Sequence, residues 1–150
     1  MSKLTHIDAR GEARMVDVSA KPVQQRTGTA RGEIRMAKET LRLIRRDKIA
    51  KGNVLATARI AGISAAKRTG DLIPLCHPLP INHCEVEFEF SKTGNAIIIT
   101  ATAKVTAQTG VEMEALTAVN LAALTIYDMC KAVDKKMRIT NVKLVSKTKK

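Results

Sequence analysis

The chain has 150 residues, 45% of them hydrophobic, enough for the core of one domain and too apolar for a wholly disordered polypeptide. Its formal net charge of +12 suits a partner that carries phosphates. Three cysteines and a start without an apolar run point to a reducing cytoplasm, and the longest helical-looking uncharged stretch, Ala115 to Tyr127, is too short for the roughly 20 residues that a bilayer span needs.

Residues 1–20 have weak periodicity and read as an arm. Thr29 to Met36 places Ala30, Gly32, Ile34 and Met36 at alternate positions and reads as a strand. Lys38 to Arg46 carries Leu41, Leu43 and Ile44 among charges, the pattern of a short amphipathic helix. Asn53 is a helix N-cap candidate before the Ala-rich helix Val54 to Arg68, and Gly70 is the expected stop. Pro74, Pro78 and Pro80 make the next segment a rigid loop. Glu85 to Phe90 alternates, with Glu85, Glu87 and Glu89 on one face and Val86, Phe88 and Phe90 on the other. Thr93-Gly94-Asn95 predicts a hairpin turn into a β-branched strand over Ala96 to Ala107. Thr109 to Val133 reads as a long helix, with Thr109 and Glu112 at capping-box spacing. Met137 to Ser146 supplies a last strand, and Lys147 to Lys150 a basic tail.

This order predicts one α+β domain over residues 1–150, a ferredoxin-like βαββαβ sandwich with an extra helix in the first crossover. The long helix is apolar on nearly every side and needs cover beyond one sheet. Ala115, Ala118 and Ala122 would let another helix approach closely, so an oligomer is expected.

Charge is unevenly spread. Arg26 to Lys51 holds nine Lys or Arg against three acids, and Lys131 to Lys150 eight against one, while residues 81–130 hold six acids against Lys92 and Lys104. For most of these side chains the plain reading is a solvated surface. Neither standard glycine-rich phosphate loop is present, so phosphate binding falls to Lys and Arg side chains.

Asp128 and Lys131 share a helix face, with Lys135 four residues on. Spacing alone makes them a surface ion pair worth about 0–1 kcal/mol. The apolar run before Asp128 predicts partial burial and perturbed pKa values. His77 lies between Cys76 and Pro78, where the prolines would hold its imidazole in a fixed direction. Cys76, His77, His83 and Cys84 match no common zinc spacing, and no metal site is expected. Glu112 and Glu114 open the long helix, where acids suit the helix dipole. A carboxylate there can also accept hydrogen bonds from a guanine-like N–H pair. Local spacing does not mark Lys51.

Three segments carry a resemblance: MVDVSAK (residues 15–21), KGNVLATARIAGISAAKRTGDLIPLCHPLPI (51–81) and TGVEMEALTAVNLAALTIYDMCKAV (109–133). In sequence and in order they resemble the MoaC family of cyclic pyranopterin monophosphate synthases. The resemblance implies a lyase of molybdenum cofactor biosynthesis, converting 3′,8-cyclo-7,8-dihydroguanosine 5′-triphosphate into cyclic pyranopterin monophosphate and pyrophosphate. It implies that Lys51, His77, Asp128 and Lys131 are catalytic. It also implies that Arg26, Leu75, Cys76, His77, Glu112, Met113 and Glu114 bind substrate, with Arg26 at the phosphates and residues 112–114 at the base. A homohexamer built as a trimer of dimers follows from it, with sites between subunits, as does a transient contact with the preceding radical enzyme. No cofactor is required on this reading, and whether Mg²⁺ assists is left open. Asn53 stands where Asp is expected, and Lys147 is a weaker carry-over than Lys131 because the chain stops soon after it.

The expected mechanism gives proton transfers to Lys51 and Lys131, with pKa values lowered by mutual repulsion, and gives Asp128 the task of orienting Lys131. It takes Lys51 from one chain and Lys131 from its two-fold partner. The rival is a small nucleic-acid-binding protein, which the charge and fold permit. Against it, such sheets expose aromatics for stacking, whereas Phe88 and Phe90 fall on the expected core face and three glutamates on the other. An assembly protein without chemistry is left open by fold alone.

Overall fold

Pairing of four alternating segments builds the frame of the protein. The computed structural model describes residues 4–150, so residues 1–3 of the expected arm lie outside the described residues. Strands β1 (Gln24–Arg35), β2 (His83–Phe90), β3 (Ala96–Ala107) and β4 (Arg138–Lys149) form one antiparallel sheet in the order β2-β3-β1-β4. Helices α1 (Lys38–Arg45), α2 (Val54–Lys67) and α3 (Thr69–Leu72) fill the connection from β1 to β2, and α4 (Glu112–Cys130) joins β3 to β4. The chain is therefore α+β. The first crossover carries three helical segments where two were expected, because the residues after Arg68 make one further turn.

Period-two burial turns Ala30 and Ile34 of β1, Val86 of β2, and Ile97, Ile99, Ala101, Ala103 and Val105 of β3 toward α4. From α4, Ala115, Ala118, Val119, Ala122 and Ile126 meet them, all fully buried. The other sheet face is polar: the Thr29 and Thr102 hydroxyls lie 3.1 Å apart, and Glu85, Glu87 and Glu89 are exposed. Phe88 and Phe90 are half-buried on the core side, where Arg59 and Arg45 lie over their rings at 5.4 and 4.6 Å from the centroids.

Asn53 caps α2 as expected, its Oδ1 accepting the Ala56 N–H at 2.9 Å. Other expectations change. Gly70 does not stop α2; it lies inside α3, where an added Cβ would stand 2.8 Å from Pro78 Cα. Its role is to let the proline loop close onto the helices. The capping box does not form: α4 begins after Val111 with no side-chain cap, and the Glu112 carboxylate instead pairs with Lys147 at 3.2 Å. Lys147–Lys149, expected as a tail, are the last residues of β4. β4 is extended because its partner is: β1 starts at Gln24, five residues before the expected Thr29, and Arg26, Thr27 and Gly28 pair with Lys149, Thr148 and Lys147. No alternation marks either end, since both are polar.

The small-residue stripe of α4 is also used within the chain. Gly62 of α2 packs against it, where a Cβ would stand 3.0 Å from the Ala118 carbonyl oxygen and 3.4 Å from Ala122 Cβ. The close approach that suggested another subunit is thus made by α2, while Ile60, Leu124 and Val133 stay more than half exposed. Among the described residues no helix is long and apolar enough to cross a membrane.

Candidate active site

The chemistry-bearing side chains gather in two groups, one at each end of α4. At its C-terminal end the Lys131 ammonium donates to Asp128 Oδ1 at 2.8 Å. Lys51, 77 positions away in sequence, donates to the Asp128 main-chain oxygen at 3.0 Å and approaches Oδ2 at 3.4 Å. Gly52, at φ +106, makes the turn behind Lys51, a backbone conformation that suits glycine.

Three expectations are corrected here. Asp128 is not buried by the apolar run; its side chain is 59% exposed. Its carboxyl is held below the ordinary value first by the Lys131 hydrogen bond and charge, then by Lys51. Repulsion between the lysines also does not set the Lys131 pKa, which is raised by its bond to Asp128 and by that residue's charge. The carboxylate between the two ammonium groups outweighs their repulsion. The expected split of Lys51 and Lys131 between subunits fails for the same reason, because both ammonium groups hold one Asp128 of one chain.

The second group lies at the N-terminal end. Glu114 is 3% exposed, and burial pushes its carboxyl up to about 7, with the Glu112 charge adding to the rise and its own backbone N–H opposing it. Leu75, Cys76 and His77, half-buried in the proline loop, and Glu112, Met113 and Glu114 line a cavity of about 220 Å³. The arm closes it through Val16, Val18 and Lys21. His77 Nε2 lies 2.6 Å from the Val16 carbonyl oxygen. The Gln108 side-chain amide donates to the Ser19 and Lys21 carbonyls at 3.1 and 3.2 Å. Burial, then Glu114 and Glu112, raise the Cys76 pKa, so it stays a thiol and is no activated nucleophile.

Arg26 borders this group. Its Nε donates to the Ala107 carbonyl at 3.1 Å and its Nη2 to that of Gln108 at 3.2 Å. With Glu112, Lys147 and Lys149 it lines a neighbouring cavity of about 150 Å³. Glu112 lines both cavities. Gly28 permits the arrangement: a Cβ there would stand 3.0 Å from the Val111 carbonyl oxygen, so the start of α4 can lie on β1 beside Arg26. Among the described residues no three His, Cys, Asp or Glu side chains gather as metal ligands.

The structure thus brings together Lys51, Asp128 and Lys131, and separately His77, Leu75, Cys76, Arg26 and Glu112–Glu114. It does not bring the two groups together within a chain. At 1.5 Å rise per residue, Glu114 and Asp128 are about 21 Å apart along one helix. Reasoning on sequence missed Gln108 and the use of His77 to hold the arm, and it did not place Lys147 beside Glu112. The motif at residues 15–21 marked the arm as significant without showing what it touches.

Fold and site define an α+β protein with a lysine–aspartate cluster at one end of α4 and, at the other, acidic side chains beside a basic cavity. A match to the MoaC family model runs over residues 15–150. The cyclic pyranopterin monophosphate synthase of Parvibaculum lavamentivorans is 57% identical over 146 residues, 97% of this chain and 91% of that protein. That of Chloroflexus aurantiacus is 58% identical over 97% of this chain and 90% of its own length. That of Heliobacterium modesticaldum is 55% identical over 99% and 93%. The chain belongs to the MoaC family.

Proposed function

We propose that the protein is the lyase that converts 3′,8-cyclo-7,8-dihydroguanosine 5′-triphosphate into cyclic pyranopterin monophosphate with release of pyrophosphate, in molybdenum cofactor biosynthesis. The observation that carries this, in a chain of this family, is the meeting of Lys51, Asp128 and Lys131 on one surface. Lys131, kept protonated by Asp128, is suited to donate a proton to a departing ring nitrogen and to stabilise charge on phosphate. Glu114, poised near neutrality, is suited to accept the N–H pair of the guanine-derived ring. Arg26 and Lys147 face the phosphates. Water opens the five-membered ring, reclosure forms the pterin, and a ribose-derived hydroxyl attacks the α-phosphorus as pyrophosphate leaves.

The site is completed by a second copy of the chain. A catalytic group must come within about 2.6–3.2 Å of the proton it moves, and the ring, sugar and α-phosphorus of one nucleotide are a few bonds apart. The separation of about 21 Å along α4 supports a site in which one chain supplies the lysine–aspartate group and its partner supplies His77, Arg26 and Glu112–Glu114. On this reading the assembly is a homohexamer of three dimers, and the exposed Ile60, Leu124 and Val133 are candidates for its interfaces. The all-antiparallel order β2-β3-β1-β4 supports a ferredoxin-like core. The protein works in the cytoplasm without a cofactor and takes its substrate from the radical enzyme that makes it.

Phosphorus NMR of a reaction with the authentic cyclised triphosphate tests the proposal. Pyrophosphate and a cyclic phosphodiester should appear in equal amounts. Unchanged triphosphate, or pyrophosphate without the cyclic ester, would refute it.

A further inference from the structure

We propose that Asp134 is a positioning residue for the Lys51–Asp128–Lys131 group, its carboxylate tying the turn that carries Lys131 to the helix that leads to Lys51. The inference rests on reading that group as half of the active site.

Helix α1 starts after Ala37, whose side chain cannot cap it, so its first N–H groups need another acceptor. Asp134 supplies one from 97 positions away: its Oδ2 accepts the Ala37 N–H at 2.9 Å and the Thr40 hydroxyl at 2.9 Å. Its Oδ1 accepts the Lys136 N–H at 3.0 Å. Asp134 is 8% exposed and Thr40 2%. Among the described residues no cation forms an ion pair with Asp134, so N–H and O–H groups carry its charge. Burial alone would push its carboxyl up, and the bonds from Ala37, Lys136 and Thr40 with the Lys136 charge more than reverse this. An ionised carboxylate at a helix N-terminus also suits the helix dipole.

Both lysines are attached to this contact through backbone. Asp134 is three residues past Lys131 in one hydrogen-bonded turn: the Lys131 N–H donates to the Tyr127 carbonyl, and those of Val133 and Asp134 donate to Cys130. In the other direction α1 runs into a second tight turn, where Lys48 N–H donates to Leu43 and Gly52 N–H to Ile49. That turn presents Lys51, whose ammonium returns to Asp128. The path Asp134–α1–Lys51–Asp128–Lys131 is a closed ring, and Asp134 is the link that joins two elements distant in sequence. The lysine–aspartate contacts themselves are exposed and weak, so the ring's geometry depends on its buried link. A misplacement of about 1 Å in a catalytic group costs about 100-fold in rate.

Asp134→Asn and Thr40→Val test this, separately and together. Asp134→Asn keeps the shape and loses the charge and one of its acceptors; Thr40→Val removes a single donor far from substrate. Asp134→Asn should lower kcat by about 10- to 100-fold with little change in KM. Its alkaline pH–rate limb should move to lower pH, because Lys131, faced by Asp128, Lys51 and Tyr127, loses part of the contact that keeps it protonated. Thr40→Val should show the same changes in smaller measure, and the double variant should be no worse than Asp134→Asn, since both cut one link. Lower melting temperatures with unchanged kcat and unchanged alkaline limb in both would make Asp134 purely structural and overturn the proposal. If Asp134→Asn does not fold, Thr40→Val decides alone. Normal turnover by Lys131→Ala would be a different failure, that of the active-site reading itself.

Discussion

Glu114→Gln should remove a pH-dependent cost of folding. The native Glu114 carboxyl is displaced from its ordinary 4.5 to about 7, chiefly by burial. In that interval the native state holds a proton that the unfolded chain has released, so stability falls as pH rises. The loss starts near the unfolded value and is complete once pH passes the folded value. At roughly 1.4 kcal/mol for each pKa unit, the whole loss is about 3 kcal/mol, a large share of the usual 5–15 kcal/mol. Urea unfolding of wild type and Glu114→Gln at matched protein concentration, from about pH 4.5 to 8.5, reads it directly. The variant should gain on the wild type by about 3 kcal/mol across that range. A wild-type-minus-variant difference that stays flat with pH would show that Glu114 is not held protonated by its burial.

Asp128→Asn should move the alkaline limb of the pH–rate profile to lower pH, because the bond and charge that raise the Lys131 pKa are gone; full activity with an unmoved limb would leave only a surface ion pair. Gly70→Ala should destabilise by about 1–3 kcal/mol, since its Cβ meets Pro78 backbone at 2.8 Å, and denaturant midpoints measure it. Chelation of zinc should change neither activity nor melting temperature; a stoichiometric metal lost together with activity would contradict this.

Element types were legible wherever period and turn chemistry agree. Glu85 to Phe90 alternates and forms β2, Asn53 caps α2 as its position suggests, and Gly94 turns the hairpin at φ +73. What stayed hidden depends on contacts distant in sequence. The first residues of β1 and the last of β4 are polar, and only their mutual pairing makes them strands. Thr109 and Glu112 have capping spacing, yet Lys147 from β4 takes the Glu112 carboxylate. The cap of α1 comes from Asp134, a residue that spacing does not mark. In the site, Asp128 and Lys131 are helix neighbours and could be paired from sequence, whereas Lys51 joins them only through the fold. That Glu114 opens α4 was legible, whereas the placement of His77 beside it needed the structure.

Subunit mixing tests the shared site most directly. Inactive Lys131→Ala and inactive Glu114→Ala chains are dissociated, combined in equal amounts and reassembled, with exchange verified by native mass spectrometry of a size-tagged partner. If one chain supplies the lysine–aspartate group and its partner the Glu114 group, each mixed dimer holds one doubly damaged site and one intact site. Random pairing makes about half of the dimers mixed, so about a quarter of wild-type activity should return. Lys51→Ala mixed with Lys131→Ala should recover nothing, because those residues belong to one group of one chain. Recovery in that second mixture, or none in the first after confirmed exchange, would contradict the account.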